Sequence, residues 1–188
     1  SVSAFLLNRS SDLSFSAKSY SFGKGQLTVT VVADNAVRIQ YSEGTPSTVL
    51  PEFVYVKNEE VATKHFMVKV DGTKGIVEIK NKKGKTVLIA TEHQLKSQTV
   101  AGMSTQEAQL TLASPDGEFQ FGLGQFQDGY SNVRGLSRRL TQVNTQISVP
   151  MLISSEGYGL LWNNYGLTEF NPCDHQVLST ASYNADGL

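Results

Sequence analysis

A chain of 188 residues is long enough for one domain with a core of its own. Lys and Arg number 16 against 17 Asp and Glu, a formal charge of −1, which speaks against the broad basic face of a nucleic-acid binder. The single cysteine excludes an internal disulfide, and no apolar run reaches the roughly 18 residues of a membrane helix.

In chain order, the opening residues Ser1-Val2-Ser3-Ala4 show no signal peptide, which leaves secretion open. Residues 1–24 read as a lead-in. Alternation of period two then begins. Leu27, Val29 and Val31 fall on one face, and Thr28, Thr30 and Val32 on the other. Turn residues follow at 33–36, and Val37, Ile39 and Tyr41 resume the pattern, which makes a β-hairpin. Residues 44–52, GTPSTVLPE, carry two prolines and read as a linker-like excursion at a sheet edge.

Phe66, Val68 and Val70 alternate again, Asp71-Gly72 turns the chain, and Ile76 to Ile79 return it. A second turn at Lys83-Gly84 leads to Val87-Leu88-Ile89. The lysines around Gly84 form the one local cluster of a single sign, and they read as a solvated hairpin tip. QEAQLTLAS gives a strand, Pro115-Asp116-Gly117 a turn, and EFQFGLG a short aromatic strand. ISVPMLISSEGYGLLWNNYG gives two more strands around Ser155-Glu156-Gly157, and from Asn171 onward the pattern weakens. Short strands joined by tight turns predict an all-β, antiparallel sandwich or barrel.

Chemistry is sparse in this pattern. His65, His93 and His175 are far apart and have no second His at helical spacing, so they predict no metal site and read as surface or hydrogen-bonded residues. Cys173-Asp174-His175 are chain neighbours whose side chains point apart in extended backbone, and they read as loop. GKGQ at 23–26 and GLGQFQDG at 122–129 precede no helix and fail as phosphate-binding loops. A glycosidase needs two carboxyl groups facing one another. Asp128 and Glu169 flank the polar stretch between them, but spacing does not show them converging, and Asp128 before Gly129 reads as a turn residue.

That polar stretch, 125–146, is rich in Gln, Asn and Arg. Such side chains donate and accept with defined geometry and suit sugar hydroxyls. They equally suit the backbone of a long loop, and composition leaves both readings open.

Four blocks carry a resemblance. They are Gly122-Leu123-Gly124-Gln125, Asn132-Val133-Arg134-Gly135, LTQVNTQISVP at 140–150 and SEGYGLLWNNY at 155–165. Together they resemble the N-terminal domain of family 31 glycoside hydrolases, in the bacterial α-xylosidase and α-glucosidase branch. NAVRIQYSEG at 35–44 and LPEFVYV at 50–56 also fit. The likeness covers residues 25–172, and the block 121–165 is its specific part.

The resemblance implies a galactose-mutarotase-like antiparallel β-sandwich placed before a (β/α)8 barrel. The catalytic aspartates belong to that barrel, which needs about 250 residues. It therefore implies no catalytic residue, metal or cofactor in this chain. A family loop that walls the substrate pocket matches the polar stretch, with Gln125, Arg134, Gln142, Asn144 and Thr145 at motif positions. For Arg134 a bracing role stands beside a pocket role, because a guanidinium can tie several carbonyls together. The implied partners are an oligosaccharide, through the complete enzyme, and the C-terminal barrel of the same polypeptide. No nucleic acid and no membrane span are implied, and the location is periplasmic or extracellular. Residues 25–172 form the domain, and 173–188 form a boundary segment or the start of an inserted module of the PA14 type. Further strands are expected beyond Pro172, so the sandwich is expected to be incomplete at its C-terminal end. The alternative is a free-standing carbohydrate-binding β-sandwich. A mutarotase needs a proton-transfer pair such as His with Glu, and all three histidines lie outside the motif block.

Overall fold

The computed structural model describes residues 2–7, 17–33, 35–45, 65–164 and 166–170. Strands come in chain order as β1 (Val2–Leu7), β2 (Ala17–Phe22), β3 (Gly25–Ala33) and β4 (Ala36–Ser42). The expected hairpin is β3–β4, with Leu27 opposite Tyr41 and Val29 opposite Ile39. Its alternation breaks after Val31, where a bulge shifts the register, and Val32 is buried with Ala36. Residues 1–24, expected as a lead-in, supply two strands of the same sheet. β1 runs antiparallel to β4, with Ala4 opposite Ile39. Pairing across so long a separation leaves no local signal in the sequence.

A second sheet is a plain meander of β5 (Phe66–Asp71), β6 (Ile76–Asn81), β7 (Thr86–Val100) and β8 (Met103–Ala113). Its turns use the expected residues. Asp71 Oδ1 accepts the amides of Thr73 and Lys74, both at 3.1 Å, and Asn81 Oδ1 accepts those of Lys83 and Lys85. The lysine cluster sits at that exposed tip, as its composition predicts. β7 extends far past Ile89 and pairs with β8 out to Val100 opposite Met103.

The chain then returns to the first sheet through β9 (Gln120–Gln125), β11 (Ile147–Ser154) and β12 (Gly159–Asn163). The sheet order is β2-β3-β4-β1-β12-β11-β9. β10 (Arg138–Leu140) and β13 (Thr168–Phe170) form a separate antiparallel pair.

The two larger sheets make the sandwich. One core joins Leu27, Val29 and Ile39 of the first sheet to Val77, Ile79, Leu88 and Ala90 of the second. At one border Phe22, Tyr41 and His93 meet ring to ring, with centroids 6.0 to 6.4 Å apart. The β5–β6 turn packs there against β2, so closely that a Cβ on Gly75 would lie 2.6 Å from the Phe22 ring. Most of the 44–52 excursion, LPEFVYV, Asp34, Tyr165 and residues 171–188 with Cys173 and His175 lie outside the described residues.

Candidate functional site

The motif Gly122-Leu123-Gly124 marks where β9 is pressed onto β11. Its three residues have φ of 109°, 66° and 106°. A Cβ on Gly122 would lie 2.4 Å from the Met151 carbonyl oxygen, and one on Gly124 2.0 Å from that of Ile147. Only glycine fits either position. Leu123 adopts a left-handed conformation rare for a side-chain-bearing residue, and its side chain is buried in the core. The pairing skips between Ser148 and Leu152, so this end of the sheet is bulged.

The run from Glu118 into the start of β9 is also inverted relative to its hydrophobic pattern. Glu118 and Gln120 are 1% and 5% exposed, whereas Phe119 and Phe121 are 54% and 38% exposed. The inward carboxylate is fully engaged. Glu118 Oε1 accepts from Tyr158 Oη at 2.6 Å and from Ser154 Oγ. Oε2 accepts from Ser114 Oγ and from Gln120 Nε2 at 3.2 Å. Burial alone would push the Glu118 carboxyl up, but the hydrogen bonds from Ser114, Ser154, Tyr158 and Gln120 together hold it below the ordinary carboxylate range. Burial first, and the neighbouring carboxylate second, raise the Tyr158 phenol well above its usual value.

Arg134 is tied into the same knot. Its Nη1 lies 2.7 Å from the Pro115 carbonyl oxygen, 2.9 Å from Ser114 Oγ, 3.1 Å from the Glu118 carbonyl oxygen and 3.8 Å from Glu118 Oε2. Asn132 Oδ1 accepts the amides of Gln120 and Arg134 at 3.0 and 3.2 Å. The middle of the polar stretch is thus fixed by one guanidinium, one buried carboxylate and one Asn side chain.

At the far end of the stretch, Val143 and Gln146 exchange backbone hydrogen bonds at 3.2 Å and close a turn with Asn144 and Thr145 at its tip. Gln142 Oε1 accepts the Ser148 amide at 3.1 Å. Gln146 Nε2 donates to the carbonyl oxygens of Arg139 and Thr141 at 3.0 and 2.9 Å. Those two amides serve the loop's own backbone. Gln125, Asn144 and Thr145 present exposed polar side chains instead. Gln125 stands opposite Ile147, so Gln125, Gln142, Asn144 and Thr145 share one end of the β9–β11 pair. Arg134, beside Gln120, sits at the other end, about 17 Å away at ~3.3 Å per strand residue.

The two acids flanking the stretch do not converge. Asp128 lies 2.5 Å from Arg138 Nη2, and its Oδ1 accepts the Tyr130 amide, as a turn residue does. Arg138 in turn lies over the Phe126 ring, 4.7 Å from its centroid. Glu169 Oε1 accepts from Arg139 Nε and Nη2 at 2.9 and 2.8 Å. Consecutive residues of a strand point to opposite sides, so Arg138 and Arg139 hold the two carboxylates on opposite sides of β10. Among the described residues no group of three His, Cys, Asp or Glu could hold a metal ion.

Glu118 is the residue that sequence reasoning missed, because it is one more scattered acid, next to the Pro115-Asp116-Gly117 turn. A signal was present: period two places Glu118 and Gln120 on one face and Phe119 and Phe121 on the other, so one of the two pairs must face the core.

No family model matches the chain. Over 169 residues, 76% of the chain, it is 31% identical to an alpha-xylosidase of Saccharolobus solfataricus and covers 23% of that relative. Over 63 residues it is 49% identical to an uncharacterized family 31 glucosidase of Pseudescherichia vulneris, covering 32% of this chain and 12% of the relative. Among solved structures, an alpha-xylosidase of glycoside hydrolase family 31 from Xanthomonas citri superposes with a TM-score of 0.68 at 25% identity, over 81% of this chain and 19% of that one. A family 31 alpha-xylosidase from a soil metagenome shares the fold with a TM-score of 0.66 at 23% identity, over 86% of this chain and 29% of that one. The chain spans less than a quarter of the curated relatives it matches. These likenesses, the longest of them over most of the chain, identify it as an N-terminal domain of glycoside hydrolase family 31.

Proposed function

We propose that this domain is the non-catalytic N-terminal part of a retaining α-glycosidase, an α-xylosidase or α-glucosidase, and walls the substrate pocket of a (β/α)8 barrel in the same polypeptide. One observation carries the reading. The amide-rich stretch is anchored at its middle, where Arg134 binds the Pro115 carbonyl and lies beside Glu118, while its two ends, brought together by the β9–β11 pairing, leave Gln125, Asn144 and Thr145 exposed. A braced middle and exposed polar ends suit a group that positions a sugar. Hydrolysis would proceed by double displacement on carboxylates of the barrel. In that scheme Asn144 and Thr145 donate to and accept from sugar hydroxyls, whereas Arg134 braces the stretch and touches no sugar. The domain's galactose-mutarotase-like relationship and a periplasmic or extracellular location belong to the same proposal.

The test uses the polypeptide encoded by the complete reading frame. Replacing Asn144 and Thr145 together by Ala lowers kcat/KM for an aryl α-xyloside or α-glucoside about tenfold, a loss of ~1.4 kcal/mol in transition-state binding. Unchanged kcat/KM for both substrates refutes the pocket-wall role.

A second reading, a free-standing carbohydrate-binding module, gains one observation. The outward Phe119 and Phe121 provide an aromatic surface of the kind that sugar rings stack upon. Submillimolar binding of xylose or a xyloglucan oligosaccharide by the 188-residue chain would favour it.

A further inference from the structure

Strand registers fix which groups share an end of the sandwich. β1 sets Leu7 opposite both Gly159 and Ala36, and its other end lies beside Asn163 and Tyr41. β11 continues the count, with Ile153 opposite Gly159 and Ile147 opposite Gln125. Tyr41, Gln125 and the Asn144-Thr145 turn therefore stand at the same end. In the second sheet, β7 starts from the opposite end, where Lys85 pairs with Glu156, and reaches His93 beside the Tyr41 ring. It does not stop there. With β8 it runs on from Gln94 opposite Gln109 to Val100 opposite Met103, a two-stranded arm reaching about 20 Å past His93 at ~3.3 Å per residue. The two faces of this arm differ. On the outer face Lys96 stands opposite Glu107, and Gln98 donates to the Glu107 carboxylate, as on an ordinary solvated surface. The inner face continues the one that buries His93 and packs Leu95 and Leu110 on the core. Beyond Leu95 it carries Ser97 opposite Gln106 and Thr99 opposite Ser104, all exposed and uncharged. Among the described residues these side chains have no hydrogen-bond partner.

We infer that the inner face of this arm, Ser97, Thr99, Ser104 and Gln106, binds the sugars of an oligosaccharide substrate beyond the one held at Asn144 and Thr145, and so selects for substrate length. The inference rests on the pocket-wall reading above. Three observations select a neutral sugar chain as the occupant. Hydroxyl and amide groups both donate and accept, as sugar hydroxyls require. The face carries no charge to attract a phosphate or a uronic acid, and beyond Leu95 it has no large apolar group for a protein layer to cover. The third observation is spacing. The order β4-β1-β12-β11 puts three strand spacings, about 14 Å at ~4.8 Å each, between the border where the arm leaves the core and the strand that follows the Asn144-Thr145 turn. A single sugar does not bridge that gap, and a short oligosaccharide does.

Steady-state kinetics of the polypeptide from the complete reading frame test this. Ser97→Ala and Gln106→Ala are combined, and Thr105→Ala, on the outer face of the arm, is the control. The substrates are a xyloglucan oligosaccharide and a malto-oligosaccharide, each beside the aryl glycoside of the same sugar. The double variant is expected to raise KM about tenfold for the oligosaccharide that the polypeptide hydrolyses, as the loss of one or two hydrogen bonds gives, and to leave KM for the aryl glycoside unchanged. The control alters neither. An unchanged KM for the oligosaccharide overturns the inference. So does an equal rise for both kinds of substrate, which marks a change in the pocket itself, or an equal rise in the control, which marks a loosened arm. Turnover of an aryl glycoside with no turnover of either oligosaccharide overturns it too. A reading frame that encodes no further domain overturns this inference together with the proposed function. A loss of aryl-glycoside turnover on replacing Asn144 and Thr145, with no effect of the arm variant on the oligosaccharide, overturns the role of the arm alone.

Discussion

The Tyr158 phenol donates at 2.6 Å to the Glu118 carboxylate, although the two residues are 40 positions apart in the chain. That bond, with those from Ser154 and Ser114, ties the end of β8, the start of β9 and the β11–β12 turn into one polar knot beneath the amide-rich stretch.

Replacing Glu118 by Gln leaves the shape and removes the charge that these donors converge on. Hydrogen bonds to a buried charged group contribute about 1.5–3 kcal/mol each in net terms, so a loss of at least ~2 kcal/mol is expected. The urea midpoint falls with an unchanged slope. The folded carboxyl lies below its ordinary 4.5, so its contribution is present above that value and is lost as pH falls through the folded pKa. Glu118→Gln therefore flattens the acid limb of the stability profile. A midpoint equal to the parent's contradicts the account.

His93 gives a second, separate pH window. Burial against Phe22 and Tyr41 lowers its pKa from 6.5, with a backbone hydrogen bond at Gly75 opposing the shift. The unfolded chain takes up the proton first, so stability is full above pH 6.5 and is lost as pH falls toward the folded value. His93→Phe keeps the ring packing and removes the buried, unpartnered Nε2. It is expected to cost under about 1 kcal/mol at pH 7 and to remove most of the loss between neutral pH and pH ~5. An unaltered slope in that range, followed by thermal unfolding, counts against it.

Gly124 tests the close approach of β9 to β11. Gly124→Ala combines a positive φ with a contact at 2.0 Å to backbone, and a loss of about 3 kcal/mol or more is expected. Gly129→Ala, at φ 76° with nothing within 4 Å, is the control and should cost only ~1–2 kcal/mol. Equal midpoints for the two variants would mean that the strands are not pressed together as described.

The hairpin β3–β4, the meander β5–β6–β7 and the β11–β12 turn were legible in the sequence, because alternation and Gly, Asp or Asn turns are local signals. The place of β1 was not, since its partners are β4 and β12 and nothing near it in the chain names them. The outer half of β7 was missed because it is exposed and polar, without the apolar period that betrays a strand. In the site, the bracing option for Arg134 matches its three close oxygen partners, and Gln142 sits on a backbone amide. Glu118 stayed hidden because its environment is made by Ser154 and Tyr158, which only the fold brings to it. The GLGQ motif was readable as a family mark, but its reason is steric and appears only when β9 meets β11.

In the proposed reading hydrolysis belongs to carboxylates of the following barrel, and Asp128 and Glu169, each held by a different arginine on opposite sides of β10, do not converge. The most direct measurement is hydrolysis of an aryl α-xyloside and an aryl α-glucoside by the 188-residue chain beside the polypeptide from the complete reading frame. The expected result is no release above buffer from the chain, and turnover by the complete polypeptide that persists in the Asp128→Asn and Glu169→Gln variants. Turnover by the chain alone, abolished by either substitution, would contradict it.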